Sequence, residues 1–162
     1  MRHFILTATI LISCYWFVPP VAAQTSLSIG GFSSNPDGPI EMTADKLTVS
    51  QFDGSARFEG NVRIAQENIQ IMAQLVVVTY LESGGINQLS ASGGVTVVTQ
   101  TESVEAKTAD YNLFSQNLVL RGDVLLIQGQ NAISSDTMTI DLTTGAAVIE
   151  GRVRTVLSSG SK

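Results

Sequence analysis

The chain has 162 residues, enough for one domain, with 44% hydrophobic residues, 14% charged residues and a formal net charge of −5. That acidic balance argues against a nucleic-acid partner, whose binding needs a basic stripe to displace counterions. One Cys and one His cannot make a disulfide within the chain and leave too few of the usual ligands for a zinc, haem or iron–sulfur site, so neither metal nor cofactor is expected.

Arg2 precedes an apolar run from Phe4 to Val18, followed by Pro19-Pro20 and the small residues Val21-Ala22-Ala23. A charged start, a short apolar run and a small-residue cleavage site describe a secretory signal peptide over 1–23, cut after Ala23. The run is short for a membrane span, which wants about 20 apolar residues, and Thr7, Thr9 and Ser13 dilute it. A retained anchor is the alternative. Cys14 makes a poor lipidation site because apolar sequence continues beyond it. Processing removes His3, Cys14 and Trp16, and with them any thiol chemistry or His-based triad. Nine basic residues less Arg2 leaves eight against 14 acidic, a net of −6.

Residues 24–38 are polar and glycine-rich, with Pro36 and Pro39 at the end, and read as a flexible leader. No proline follows Pro39, which suits a continuous hydrogen-bonded ladder. A two-part unit then recurs. Its second piece, typified by Phe58-Glu59-Gly60-Asn61-Val62-Arg63-Ile64, centres on Gly60, Gly93, Gly122 and Gly151, at spacings of 33, 29 and 29 residues. A valine stands two places after each: Val62, Val95, Val124 and Val153. The first piece begins at Ala44-Asp45, Ala73-Gln74, Ala109-Asp110 and Ser135-Asp136. Repetition at about 30 residues marks a stacked β structure.

Period-two alternation puts Phe58, Val62 and Ile64, then Val95 and Val97, then Leu120, Val124 and Leu126, then Ile149 and Val153 on one inward face, with each glycine in the same row. In the first piece the phase slips by one residue, so that Leu47 and Val49, Val76 and Val78, and Met138 and Ile140 follow in step one place later. A bulge or corner at Asp45, Gln74 and Asp136 would absorb the slip. The third copy, around Asp110, fits less cleanly. Turn signals at Asp53-Gly54, Gln66-Glu67-Asn68, Ser83-Gly84-Gly85, Ser115-Gln116-Asn117, Gly129-Gln130-Asn131 and Thr143-Thr144-Gly145 divide ten or more short strands. The expected fold is all-β, an open-ended sandwich or jellyroll of about four two-part repeats.

Little here can carry catalysis. Asp45, Asp110 and Asp136 fall about one repeat apart, which suits local backbone bonding rather than two carboxylates in one cleft, and no enzyme is expected. Arg63, Arg121, Arg152 and Arg154 sit on outward positions, as a solvated face or as contacts for an anionic partner. The inward rows of small aliphatics are either ordinary core or the lining of a slot that side chains never fill.

Pro39-Ile40 with Ala44–Val49, Phe58–Ile64 and Ile69–Thr79, followed by Val104-Glu105, Leu120–Gln128, Ile133–Leu142 and Arg152–Leu157, resemble in that order the OstA-like (LptA-type) family of periplasmic lipopolysaccharide-transport proteins. The resemblance spans about 39–157 and leaves a short tail, 158–162. It implies a β-jellyroll open at both ends that holds the acyl chains of lipid A. The inward residues Leu47, Val49, Phe58, Val62, Ile64, Val76, Val78, Val95, Val97, Leu120, Val124, Leu126, Met138, Ile140, Ile149 and Val153 would line that groove. It further implies end-to-end pairing of edge strands, through Ile40 and Met42 at one end and Val153, Thr155 and Val156 at the other. The joints would be head-to-tail with other copies, with an LptC-like inner-membrane subunit and with an LptD-like outer-membrane translocon. An LptC-like anchored subunit, or a structural β protein with no lipid ligand, are the alternative readings.

Overall fold

The computed structural model describes residues 27–28, 30–32 and 38–158. The proposed signal peptide and most of the leader lie outside them. Eleven strands form one antiparallel sheet: β1 (Leu27–Ser28), β2 (Glu41–Thr43), β3 (Lys46–Ser50), β4 (Ser55–Gln66), β5 (Ile69–Tyr80), β6 (Ile86–Val98), β7 (Glu102–Asn112), β8 (Asn117–Gln128), β9 (Asn131–Asp141), β10 (Ala146–Glu150) and β11 (Arg154–Val156). From β4 to β9 the strands run 11 to 13 residues and each pairs with the next, a meander. At one end β2 and β3 both pair with β4; at the other β10 and β11 both pair with β9. The all-β expectation holds, but the strands are long rather than short, because each two-part repeat is a pair of continuous strands bent in the middle.

The bend has a local cause. Between Glu59 and Val62, β4 uses two residues, Gly60 and Asn61, where β5 uses only Gln74. In the same way Gly93-Gly94 of β6 oppose Lys107 of β7, and Gly122-Asp123 of β8 oppose Asp136 of β9. The extra residue therefore belongs to the glycine strands, and Asp45, Gln74 and Asp136 sit opposite it rather than forming the bulge. Gly60, Gly93, Gly122 and Gly151 all have positive φ, from 75 to 84°. A Cβ on Gly60 would meet Asp45, on Gly93 Gln74, on Gly122 Lys107, and on Gly151 Asp136, all within 3.0 Å. Those neighbours lie towards the outer face, so the glycines make notches there and leave no gap in the inward layer.

This line across the sheet also corrects the third repeat. Its corner residue is Lys107, not Asp110, so the unit begins at Ala106-Lys107. Asp110 lies three places on and accepts from Arg121 Nη1 (2.7 Å) and Ser90 Oγ (2.8 Å). Gly93→Ala should lower stability by about 1–3 kcal/mol, more than Gly84→Ala, whose φ is also positive (86°) but whose added Cβ would meet nothing within 4 Å. Urea denaturation of the two variants measures the difference; equal losses would mean that the notch is not sterically required.

The corner divides the sheet into two half-sheets that face each other. β2, β11 and the intervening strand parts make the first; β3, β10, β1 and the remaining parts make the second. Ile64, Ile69 and Ile71 of the first meet Leu89, Tyr111 and Leu142 of the second around a void of about 20 Å³, room for about one water molecule. One sequence turn signal was missing, at Thr99–Thr101 between β6 and β7. No glycine or asparagine marks it. The Thr99 hydroxyl instead accepts from the backbone N–H groups of Thr101 (3.3 Å) and Glu102 (3.1 Å), a side-chain-made turn.

Candidate functional site

The inward residues come into cross-strand register. One row of the second half-sheet runs Leu47, Phe58, Val76, Ala91, Ala109, Leu120, Met138, Ile149, one residue from each successive strand. A second runs Val49, Ala56, Val78, Leu89, Tyr111, Leu118, Ile140, Ala147. In the first half-sheet Met42, Ile64, Ile71, Val97, Val104, Leu126, Ile133 and Thr155 align likewise. Eight strand positions at about 4.8 Å each span roughly 34 Å.

Each end of the first row is wetter than its middle. In that row Leu47 is 54% exposed, Phe58 and Ile149 are half-buried, and Val76, Leu120 and Met138 are inaccessible; Val49, which starts the second row, is 65% exposed. Val62, Ile64, Val78, Val95, Val97, Val124, Leu126 and Ile140 are buried too. Of the residues expected to line a slot, eleven are thus buried between the two half-sheets. Val153 is a correction. It is 52% exposed and lies between β10 and β11, since the Gly151 bend ends the alternation that placed it inward.

The ends of the sheet are edges. Among the described residues β2 and β3 have no strand beyond them, nor has β11, while β10 carries only β1, through Leu27↔Ala147 and Ser28↔Ala146. The Asp45 N–H bonds to Gly60 O (3.0 Å). Since hydrogen-bonded pairs alternate in an antiparallel ladder, Leu47 and Val49 face β4, and the N–H and C=O groups of Lys46 and Thr48 point out of the sheet. The bond from Asp136 N–H to Gly151 O (3.0 Å) fixes the same phase at the other end, where the groups of Val148 and Glu150 point outward. Val156 and Leu157 are exposed beside them, and Ile40 and Met42 half-buried on the far side.

Charges mark the outer corner. Asp45 accepts from Asn61 Nδ2 (2.8 Å), Lys107 pairs with Asp123 (2.6 Å) and Asp136 with Arg152 (2.5 Å). Asn61, Asp123 and Arg152 each follow a corner glycine and each has positive φ, 40 to 49°. The hydrogen bond from Arg152 holds Asp136 below the usual carboxylate range, and Lys107 does the same for Asp123. The recurring aspartates therefore bond side chains of neighbouring segments rather than the local backbone expected of them, and Asp110 stands off the corner.

Sequence reasoning passed over Glu102. It is buried at the tip of the first half-sheet, with Oε1 accepting from Gln128 Nε2 (2.6 Å) and Oε2 without a partner among the described residues. Burial pushes its carboxyl above the ordinary value, with Gln128 pulling the other way. A raised folded-state value means that Glu102 costs nothing below the unfolded value and destabilises progressively as pH rises through the folded one. Glu102→Gln should therefore stabilise the fold by roughly 1–3 kcal/mol at pH 7 and hardly at all at pH 4. Thermal melts at both pH values test this; a pH-independent effect would remove ionisation as the cause.

Residues 41–146 match the family described as "LptA/(LptD N-terminal domain) LPS transport protein". The chain belongs to this family. The LPS transport family's match runs from β2 to the start of β10 and leaves out β1 and β11. The chain is also 27% identical, over 154 residues, to the uncharacterized protein R00383 of Rhizobium meliloti (strain 1021), covering 88% of this chain and 83% of the relative. Its fold is similar to the crystal structure of LptH, described as the LptA homologous periplasmic component of the lipopolysaccharide transport device from Pseudomonas aeruginosa. The TM-score is 0.68 at 16% identity, over 77% of this chain and 99% of LptH.

Proposed function

We propose that this LPS transport family member is secreted, cut after Ala23, and acts in the periplasm as a bridge between the membranes that carries lipid A acyl chains between its half-sheets. The observation that carries this reading is the continuous apolar row from Leu47 to Ile149, dry in the middle and open at both ends. Each methylene kept from water is worth about 0.8 kcal/mol, so a lipid with several acyl chains faces tens of kcal/mol if it crosses an aqueous space bare. Aliphatic walls remove most of that barrier without bond chemistry, and no group on the row supplies work. Free edges at opposite ends of one sheet suit head-to-tail joints with further copies and with the matching edges of LptC-like and LptD-like partners.

Periplasmic protein should have an intact mass beginning at Gln24. Photocrosslinkers at Val62, Val95 or Val124 should label lipopolysaccharide in cells at least tenfold more than those at Arg57 or Asn61 on the outer face. Equal labelling of both faces would refute the interior as the lipid path, and a mass that includes residues 1–23 would favour an anchored subunit.

A further inference from the structure

The leader carries two elements of the fold, and they sit where the two half-sheets part. β1 adds to β10 at the margin of the second half-sheet. Gly30–Phe32 form a 3-10 turn at the tip of the first, where Asn68 Nδ2 donates to Gly31 O (3.0 Å) and a Cβ on Gly31 would stand 2.6 Å from Glu102 Oε2. The segment thus crosses from one half-sheet to the other along their open side. Phe32 is wholly buried and is the largest side chain in the interior with no exposure. Among the described residues it is also the only member of the buried core that precedes β4.

The void beneath Ile64, Leu89 and Tyr111 holds no more than about one water molecule, too little for an acyl chain. Among the described residues the segment is held by two residue pairs with β10, the hydrogen bond from Asn68 and the burial of Phe32, and its Gly31 stands against the Glu102 carboxylate. Lifting the segment would admit water to the Glu102 carboxylate and free the Phe32 ring.

Resting on the lipid-carrying reading, we propose that Gly30–Phe32 is a removable plug: the Phe32 ring holds the place of an acyl chain, and lipid loading expels it. A protein whose competent state is only partly populated binds its ligand more weakly by that fraction. The plug thus sets affinity without touching the walls of the path, and the empty carrier keeps its apolar interior covered.

The test uses the chain from Gln24 onward, which has neither Cys nor Trp, with radiolabelled lipid A as probe. Phe32→Ala should bind about tenfold more tightly than the parent. Leu27→Cys/Ala147→Cys, opposed residues in register, should bind at least tenfold more weakly when oxidised than when reduced. Phe32→Trp should show buried, blue-shifted emission that moves to the red as lipid A is added. If the parent binds lipid A but the oxidised pair binds equally well and the Trp emission stays blue, the plug is refuted and the carrier reading stands. If parent, Phe32→Ala and reduced pair all fail to bind lipid A, the carrier reading falls and the plug with it. Should Phe32→Ala not fold, the disulfide and Trp measurements decide alone.

Discussion

Val124→Arg is expected to prevent stable folding. Val124 is 1% exposed and sits beside the corner, with Ala106 and Ser135 inward at the same level of the neighbouring strands. No carboxylate is among the buried residues there, so a guanidinium would lie unpaired in an apolar layer. An unpaired buried charge costs several kcal/mol, against a total stability of about 5–15 kcal/mol for a domain. Val148→Arg, also apolar to charged but on an exposed edge position, should change stability by no more than about 0.5 kcal/mol. Far-UV circular dichroism melts of the pair check both. A Val124→Arg protein that melts with the parent would show that the interior is wet, and the packed rows would have to be reread as an open channel.

Thr48→Pro should weaken self-association at least tenfold while leaving the monomer folded. The Thr48 N–H points away from β4, so a proline there removes a donor only from the free edge. Lys46 and Thr48 offer four backbone groups to a partner strand, each bond worth a net of about 0.5–1.5 kcal/mol. Leu47 and Val49 would add apolar burial, and the cost of association offsets part of the sum. A head-to-tail joint at this edge, as proposed above, would be of modest strength, and because a heterologous contact does not close, oligomers should grow with concentration. Light scattering over a concentration series measures it. Val49→Pro is the contrast: its N–H faces β4, so it should destabilise the fold itself. Removing β11 would be a poorer test, because that uncovers β9 as a fresh edge. Undiminished association of Thr48→Pro would move the joint away from β3.

Alternation and glycine spacing made most of the fold legible. Each strand is amphipathic on its own account, and the burial of Val76, Val95, Leu120 and Met138 follows from period two. The register around Asp110 was not legible, because Lys107 shares no chemistry with Asp45 or Asp136; what the corner positions share is a glycine facing them, which only pairing reveals. The inward aliphatics could not tell core from slot, since both need the same residue types. Val153 was misplaced because alternation was carried through a bend. Phe32 carried no signal at all: a lone aromatic in a polar, glycine-rich stretch has no period to betray it.

The meander has one further consequence. Every strand from β5 to β8 pairs only with its predecessor and successor, and every second strand turns the corner with its own glycine. The molecule is therefore modular along its axis. A duplicated hairpin of about 30 residues, glycine included, would lengthen it by two strand spacings, about 10 Å, while β3 kept its edge and β10 its pairing with β1. With the head-to-tail joint proposed above, reach would have two independent settings, the number of hairpins within a chain and the number of chains in a row.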